Sequence, residues 1–96
     1  MELRIIWSKR AAAGYSRILK YLDENWTKKE VEHFEKEMKN FFNLLSKQPY
    51  ILEESKIEGY RKGPINKLTM LTYRVNEKKN QIQLISIRST RQKPLK

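Results

Sequence analysis

The residues of this chain best suited to chemistry are the arginines and lysines that follow position 58. Residues 59–96 hold ten Lys and Arg against one acid, Glu77, whereas residues 1–58 hold eleven against ten acids. A high local positive charge attracts polyanions, and the planar guanidinium of Arg binds two phosphate oxygens at once. The cations that could do so are Arg61, Lys62, Lys67, Arg74, Arg88, Arg91 and Lys93. The sequence therefore predicts a polyanion-binding surface in its C-terminal part and a supporting scaffold before it.

Length and composition limit the classes of protein that this chain can form. Its 96 residues predict one domain, spanning 1–96, with a single modest core. It has no Cys, which excludes a disulfide framework, a thiol nucleophile and a cysteine-ligated zinc site. No apolar stretch reaches the ~18 residues of a transmembrane helix, and the first residues lack the pattern of a secretory signal. We therefore expect a cytoplasmic protein with no membrane, metal or cofactor, whose net charge of +10 favours an acidic partner.

The N-terminal half predicts one strand followed by two helices. Residues 3–7 are β-branched, aromatic and apolar, which is typical of a short strand. Ser8 is a candidate N-cap for a first helix, in which apolar residues recur at helical spacing up to Leu22. Thr27 and Glu30 form a capping box that begins a second helix, and Pro49 ends it. Because a short connection joins the two helices, they should form an antiparallel hairpin.

The C-terminal half predicts three strands, at residues 57–65, 68–75 and 81–88. Residues 76–80 form a polar turn between the last two strands, and the pair Gly63-Pro64 indicates an edge strand or a bulge. The predicted order is therefore β-α-α-β-β-β. This is an α+β fold in which an N-terminal helix hairpin packs on a mostly antiparallel sheet.

The predicted register of the last hairpin divides its side chains between two partly apolar faces. A turn centred on Lys78 places Arg74 opposite Ile82, and it also places Met70 opposite Ser86 and Leu68 opposite Arg88. One face would then carry Leu68, Met70, Thr72, Arg74, Ile82, Leu84, Ser86 and Arg88, and the other Thr69, Leu71, Tyr73, Val75, Gln83, Ile85 and Ile87. One face can pack on the helices, and the other would remain a semi-apolar basic surface to which something binds.

An ordered set of short fragments resembles the RelE/ParE superfamily of bacterial toxins, and the resemblance covers nearly the whole chain. The fragments are Trp7-Ser8, Ala11, Ile18, Tyr21-Leu22, Trp26-Thr27, Phe41, Leu44, Pro49, Gly59-Tyr60-Arg61-Lys62, Tyr73-Arg74-Val75, Ile85, Arg91-Gln92 and Pro94. The resemblance implies the growth-inhibiting toxin of a type II toxin–antitoxin pair. Such a toxin is neutralised by a cognate antitoxin protein, so a hetero-oligomer of the two is expected.

The resemblance implies two alternative mechanisms. RelE-like members enter the ribosomal A site and cleave mRNA, whereas ParE-like members inhibit DNA gyrase. Metal-independent cleavage by an endoribonuclease needs a base, an acid and cations at the phosphate. By this resemblance Arg61, Arg74, Arg88 and Arg91 are the candidate catalytic cations, and Lys62, Lys67 and Lys93 are the candidate RNA-binding residues.

Two departures from the RelE-like pattern concern the acid or base and one of the cations. Residues 89–96 lack the Tyr or His that those nucleases carry near the C-terminus, and Met70 stands where they carry an Arg. The remaining candidate bases are Glu53, Glu54, Glu58, Tyr60 and Tyr73. Three hypotheses therefore remain: a toxin that blocks translation by mRNA cleavage or A-site binding, an inhibitor of gyrase, and a binding module without toxicity.

Overall fold

The predicted order of elements is confirmed. The computed structural model describes residues 2–57 and 59–90. Its elements are β1 (Arg4–Trp7), α1 (Lys9–Asn25), α2 (Lys28–Lys47), β2 (Arg61–Asn66), β3 (Thr69–Asn76) and β4 (Gln81–Ser89). The strands form one mixed sheet in the order β1-β4-β3-β2, in which β1 runs parallel to β4 and the other neighbours are antiparallel. The two helices pack on this sheet, as the α+β prediction required.

Both helices begin at the caps that the sequence predicts. The Ser8 hydroxyl accepts a hydrogen bond from the Ala11 amide at 3.0 Å, and it donates one to the Ile85 carbonyl at 3.1 Å. At α2, the Thr27 hydroxyl accepts from the Glu30 amide at 3.2 Å, while the Glu30 carboxylate accepts from the Thr27 amide at 3.0 Å. These bonds satisfy backbone N–H groups that have no partner within the helix. The Ser8 bond also fixes the start of α1 to β4.

The core lies between the helices and one side of the sheet. Apolar side chains recurring at helical spacing on α1 and α2 meet alternate residues of β3 and β4. The buried apolar residues are Ala11, Ile18, Leu22, Phe34, Met38, Leu45, Leu71, Tyr73, Ile82, Leu84 and Ile87. Among residues 2–57 and 59–90, neither helix is both long and apolar enough to cross a membrane.

The predicted register of the β3–β4 hairpin is wrong. Residues 77–80 form the loop, because Asn76 pairs with Gln81 and Asn80 adopts a left-handed φ of 55°. Arg74 therefore lies opposite Gln83, one residue from its predicted partner Ile82.

A bulge then displaces the register by one further residue. Tyr73 pairs with Leu84 while Thr72 pairs with Ser86, so Ile85 is the extra residue in β4. In consequence Met70 pairs with Arg88.

These shifts change which residues share a face of the hairpin. Ile82 and Leu84 lie with Leu71 and Tyr73 on the helix-covered side, whereas the predicted register placed the two pairs on opposite faces. Met70 and Arg88 share the opposite side.

The second strand begins later than predicted, at Arg61, because the chain turns at Gly59 with a φ of +88°. Its predicted irregularity is confirmed by a shift of register between Pro64 and Asn66 on an edge strand. Gly63 is buried, and a Cβ there would lie 3.1 Å from the Leu52 side chain. The loop before β2 therefore packs closely on this strand.

Candidate functional site

A groove with a cavity volume of about 600 Å³ lies between α1 and the C-terminal half of β4. Arginines contribute to both walls, and apolar side chains lie between them. The lining residues are Arg10, Gly14, Arg17, Ile18, Tyr21, Leu22, Leu68, Ser86, Ile87, Arg88 and Ser89. Among the residues that the structure describes, this lining includes three arginines and no carboxylate. We call this feature the α1–β4 groove.

The groove exists because β1 is shorter than β4. Trp7, the last residue of β1, pairs with Leu84, and β4 continues to Ser89 without β1 beside it. α1 takes the place of β1 there, since Gly14 lies against the Ile87 carbonyl. A side chain at position 14 would occupy that contact. The glycine thus allows α1 to approach β4 closely.

One stripe of α1 forms a wall of the groove. Arg10, Gly14, Arg17 and Tyr21 follow one another at spacings of four, three and four residues, which places them on one side of a helix. The two arginines are exposed on either side of the glycine contact. Sequence analysis missed both of them, because the charges of residues 1–58 nearly balance. Their seven-residue spacing around a glycine was the available signal.

Arg88 is the predicted cation that the structure places in the groove. It is exposed on β4 and pairs with Met70, a half-buried residue of β3. The side of the hairpin away from the helices, here called the open face, carries Lys62, Met70, Thr72, Arg74 and Arg88, each exposed or half-buried. Arg88 therefore joins the open face to the α1–β4 groove.

Arg74 and Lys62 lie on the open face at a distance from the groove. Arg74 is exposed and pairs with Gln83 near the hairpin turn. It is four residues along β3 from Met70, the partner of Arg88, which corresponds to about 13 Å of strand. Lys62 is exposed on β2 opposite Thr72, between these two ends.

Lys67 lies in the turn before β3, beside the far end of the groove. Its backbone carbonyl accepts a hydrogen bond from the Thr90 hydroxyl at 2.6 Å, and the side chain is exposed. Its neighbour Leu68 lines the groove. Arg91 and Lys93, together with the candidate base Glu58, lie outside the described residues.

The Arg61 side chain contacts residues of the loop between α2 and β2. Its Nη1 donates a hydrogen bond to the Leu52 carbonyl at 2.7 Å, and its guanidinium carbon lies 4.9 Å from the centre of the Tyr50 ring. Nη2 also lies 4.0 Å from a carboxylate oxygen of Glu54. Arg61 pairs with Tyr73, three residues or about 10 Å along β3 from Met70. The structure thus does not bring Arg61 together with Arg88.

Tyr73, a candidate base, is buried on the helix side of the sheet. Its hydroxyl donates to the Pro49 carbonyl at 2.7 Å and accepts from the Leu52 amide at 3.4 Å. Burial raises the pKa of Tyr73 above its ordinary value near 10, and this effect exceeds the opposing effects of Leu52 and Arg61. The phenol is therefore held protonated as part of the loop attachment.

The other described candidate bases, Glu53, Glu54 and Tyr60, lie in the same loop before β2, as does Tyr50, which the sequence did not single out. Tyr50 is exposed and donates a hydrogen bond to Glu77, the acid of the basic C-terminal part. This hydrogen bond raises the pKa of Tyr50. Glu53 accepts from the Lys62 amide through its backbone carbonyl at 3.0 Å. These groups are near Arg61 in the sheet, whereas Tyr21 is the phenol that lines the α1–β4 groove.

The arrangement defines a small α+β fold with a cationic groove, and comparison with known proteins identifies its class. The family model of the ParE toxin of the type II toxin–antitoxin system parDE matches residues 5–94. This chain therefore belongs to the ParE toxin family, within the RelE/ParE superfamily that the sequence resembles. A search of curated proteins gives no match.

Solved structures of toxins share the fold at low sequence identity. The chromosomal ParDE toxin–antitoxin system of Pseudomonas aeruginosa gives a TM-score of 0.74 at 15% identity, covering 92% of this chain and 96% of the other. The RelBE2 complex of Mycobacterium tuberculosis gives 0.63 at 13% identity, covering 93% and 99%. The YoeB dimer of Staphylococcus aureus gives 0.57 at 23% identity, covering 92% and 97%. At these identities the likeness shows the fold alone.

Proposed function

We propose that this member of the ParE toxin family inhibits growth by blocking translation, and that it does so by binding RNA through the α1–β4 groove and the adjoining open face. A cognate antitoxin would hold it inactive in a hetero-oligomer, and the site of action would be the cytoplasm. The observation that carries the proposal is the presence of Arg10, Arg17 and Arg88 around one groove in which no carboxylate is found within residues 2–57 and 59–90.

The charges of these three arginines are available to a ligand. Within residues 2–57 and 59–90, the ion pairs join His33 to Glu37 and Arg61 to Glu54. The groove arginines take part in neither pair, and all three side chains are exposed. Guanidinium groups that no carboxylate neutralises bind phosphate oxygens through two parallel hydrogen bonds. The groove is therefore suited to the backbone of a nucleic acid.

Binding without cleavage is the form of the proposal that fits the groove. Cleavage at a phosphate needs groups that remove and return protons within hydrogen-bond reach. The described part of the groove lining supplies cations, the Tyr21 phenol and serine hydroxyls, and it includes neither a carboxylate nor an imidazole. Tyr73 is buried in the core and does not line the groove. We therefore propose occupation of the ribosomal A site in preference to mRNA cleavage.

Inhibition of DNA gyrase is the second candidate function. The observation in its favour is the match of the family model of ParE toxins to residues 5–94. ParE-like members of the superfamily inhibit this enzyme without cutting nucleic acid, so the same basic groove could engage gyrase or its bound DNA.

One paired experiment distinguishes the candidates. Purified toxin is added at equal concentrations to a reconstituted translation reaction and to a gyrase supercoiling reaction, with Arg88→Ala as the site variant and Lys78→Ala, an exposed turn residue, as the control. The proposal expects inhibited translation that Arg88→Ala relieves and Lys78→Ala does not, without new mRNA ends in primer extension. Inhibited supercoiling with intact translation would instead establish the second candidate, and new codon-linked mRNA ends would establish cleavage.

A further inference from the structure

We propose that α1 provides a binding surface for single-stranded RNA. On this surface Arg10 and Arg17 hold successive parts of the phosphate backbone and Tyr21 stacks on a base. This inference rests on the proposed function and deepens it, because it assigns the ligand-binding residues of the groove to a helix of the N-terminal half. The residues 10, 17 and 21 all line the groove.

The spacing of the two arginines suits an extended polyanion. Arg10 and Arg17 are seven residues apart on α1, which corresponds to about 10 Å along the helix axis. A stacked strand advances about 3.4 Å per nucleotide, so this distance spans roughly three nucleotides. Gly14 lies between them and is buried against the Ile87 carbonyl, so a strand would meet the two exposed arginines on the solvent side of this contact. A strand along α1 can therefore meet both guanidinium groups.

Tyr21 provides the feature that distinguishes a nucleic acid from other anions. Its side chain is 47% exposed, and it lies one helical turn beyond Arg17 on the same stripe. Aromatic side chains beside a cationic groove are the usual stacking platforms for unpaired bases. Ile18 and Leu22 of the lining are buried in the core, so Tyr21 is the aromatic side chain that this wall exposes to a base.

Charge complementarity alone would also admit an acidic peptide. Carboxylates could satisfy the arginines, but a run of acidic residues has no planar base to stack on Tyr21. Two arginines followed by an exposed aromatic ring along one wall match the phosphates and bases of a single strand. The observations therefore favour RNA, and binding of an acidic peptide becomes an outcome of the test.

The test measures affinity of the full chain for a fluorescein-labelled single-stranded RNA of ten nucleotides, by fluorescence anisotropy over a series of salt concentrations. The variants are Arg10→Gln, Arg17→Gln, their double combination, Tyr21→Ala and Tyr21→Phe. The matched control is Lys20→Gln, which removes one exposed charge from the same helix at a position outside the groove lining. Urea unfolding of each variant verifies that the protein remains folded.

The two kinds of residue should give different signatures. Loss of one phosphate contact reduces the slope of log affinity against log salt by about 0.7 in magnitude. The slope of the double arginine variant should therefore be smaller than that of wild type by about 1.4. Tyr21→Ala should weaken binding by about tenfold with an unchanged slope, whereas Tyr21→Phe should retain affinity because the ring remains. Lys20→Gln should change neither quantity by more than about twofold.

Three outcomes would overturn the inference. The first is absence of RNA binding by the wild-type protein, and the second is an affinity of the α1 variants equal to that of Lys20→Gln. The third is a result in which the α1 variants lose binding to a labelled poly-glutamate peptide but keep their affinity for RNA. That result would assign the groove to an acidic protein segment.

The proposed function is judged separately by the translation reaction. Translation that is inhibited without any contribution from α1 would refute only this inference. RNA binding through α1 without inhibition of translation would refute only the proposed function.

Discussion

Gly14 of α1 lies against the backbone carbonyl of Ile87 in β4, so closely that a Cβ at position 14 would be 2.0 Å from the carbonyl oxygen. This contact determines how α1 is placed beside the strand that carries Arg88. Because Arg10 and Arg17 lie on the same stripe as Gly14, the contact also brings these arginines to the groove. A glycine that is unfavourable for the helix is thus required by the packing that forms the site.

We predict that Gly14→Ala destabilises the protein although alanine favours a helix. Helix propensity alone would stabilise α1 by about 1 kcal/mol. The added methyl group meets a backbone carbonyl, which cannot rotate away as a side chain could, and overpacking of this kind costs typically 1–3 kcal/mol. The difference between the two effects is a net loss of up to about 2 kcal/mol, which urea unfolding measures. The exposed reference Ala13→Gly measures the propensity effect in the same helix, and a Gly14→Ala protein more stable than wild type would contradict the contact.

Tyr73→Phe should loosen the loop between α2 and β2. The change removes the donor to the Pro49 carbonyl and the acceptor for the Leu52 amide, while the ring can keep its packing in the core. A lost buried hydrogen bond costs about 1–3 kcal/mol when its partner is left unsatisfied. Hydrogen exchange at the amides of residues 50–55 should accelerate, and exchange in α1 should change less. Uniform acceleration over both regions would show that the hydroxyl acts on the whole fold instead.

The same residue predicts a loss of stability in alkali. Burial raises the pKa of Tyr73 in the folded protein above its value near 10 in the unfolded chain. The unfolded chain therefore releases the proton first, so this contribution to stability is complete below pH 10 and decreases as the pH rises above it. The free energy of unfolding of wild type should fall between pH 9 and pH 11 more steeply than that of Tyr73→Phe. Parallel curves for the two proteins would refute the assignment, because Tyr15 and Tyr50, whose pKa values are also raised, are present in both.

Local signals in the sequence predicted the elements of this fold, and long-range pairing limited the rest. Ser8, Thr27 and Glu30 cap helices through bonds to residues three positions away, which a sequence displays directly. The β3–β4 register depended on a four-residue loop and on the extra residue Ile85 in β4. A bulge of this kind adds one unpaired residue to a strand of otherwise regular pattern, so the pattern within the strand does not reveal it.

The candidate site was predicted in part for the same reason. Charge density led to Arg88 because it lies in the basic C-terminal part of the chain. It also led to Arg61, whose guanidinium the structure uses to hold Leu52 and Tyr50. Arg10 and Arg17 gave no charge signal, since acids elsewhere in the N-terminal half balance them. Their role depends on the position of α1, which is a tertiary property.

Arg61→Ala should therefore act through stability. It removes the bond to the Leu52 carbonyl and the stacking on Tyr50, both at a half-buried position, and we expect a loss of about 1–3 kcal/mol. Arg61→Lys should recover little of it, since lysine lacks the planar fork. Thermal unfolding measures the stability of both variants. An Arg61→Ala protein with wild-type stability and no toxicity would show that Arg61 belongs to the functional site.

Arg88→Ala should abolish growth arrest while the protein stays folded. The side chain is exposed and joins the two other arginines at the groove, so its removal lowers the local positive charge without disturbing the core. Arg74→Ala should reduce toxicity less, because that residue lies about 13 Å away along the open face beside Gln83.

Growth after induction from a regulated promoter measures the toxicity of each variant. Urea unfolding verifies that its stability stays within about 0.5 kcal/mol of wild type, and Lys78→Ala serves as a charge-matched control in the turn. Toxicity that falls equally for Arg74→Ala and Arg88→Ala would place the working surface along the whole sheet, whereas full toxicity of Arg88→Ala would exclude the groove as the site of action.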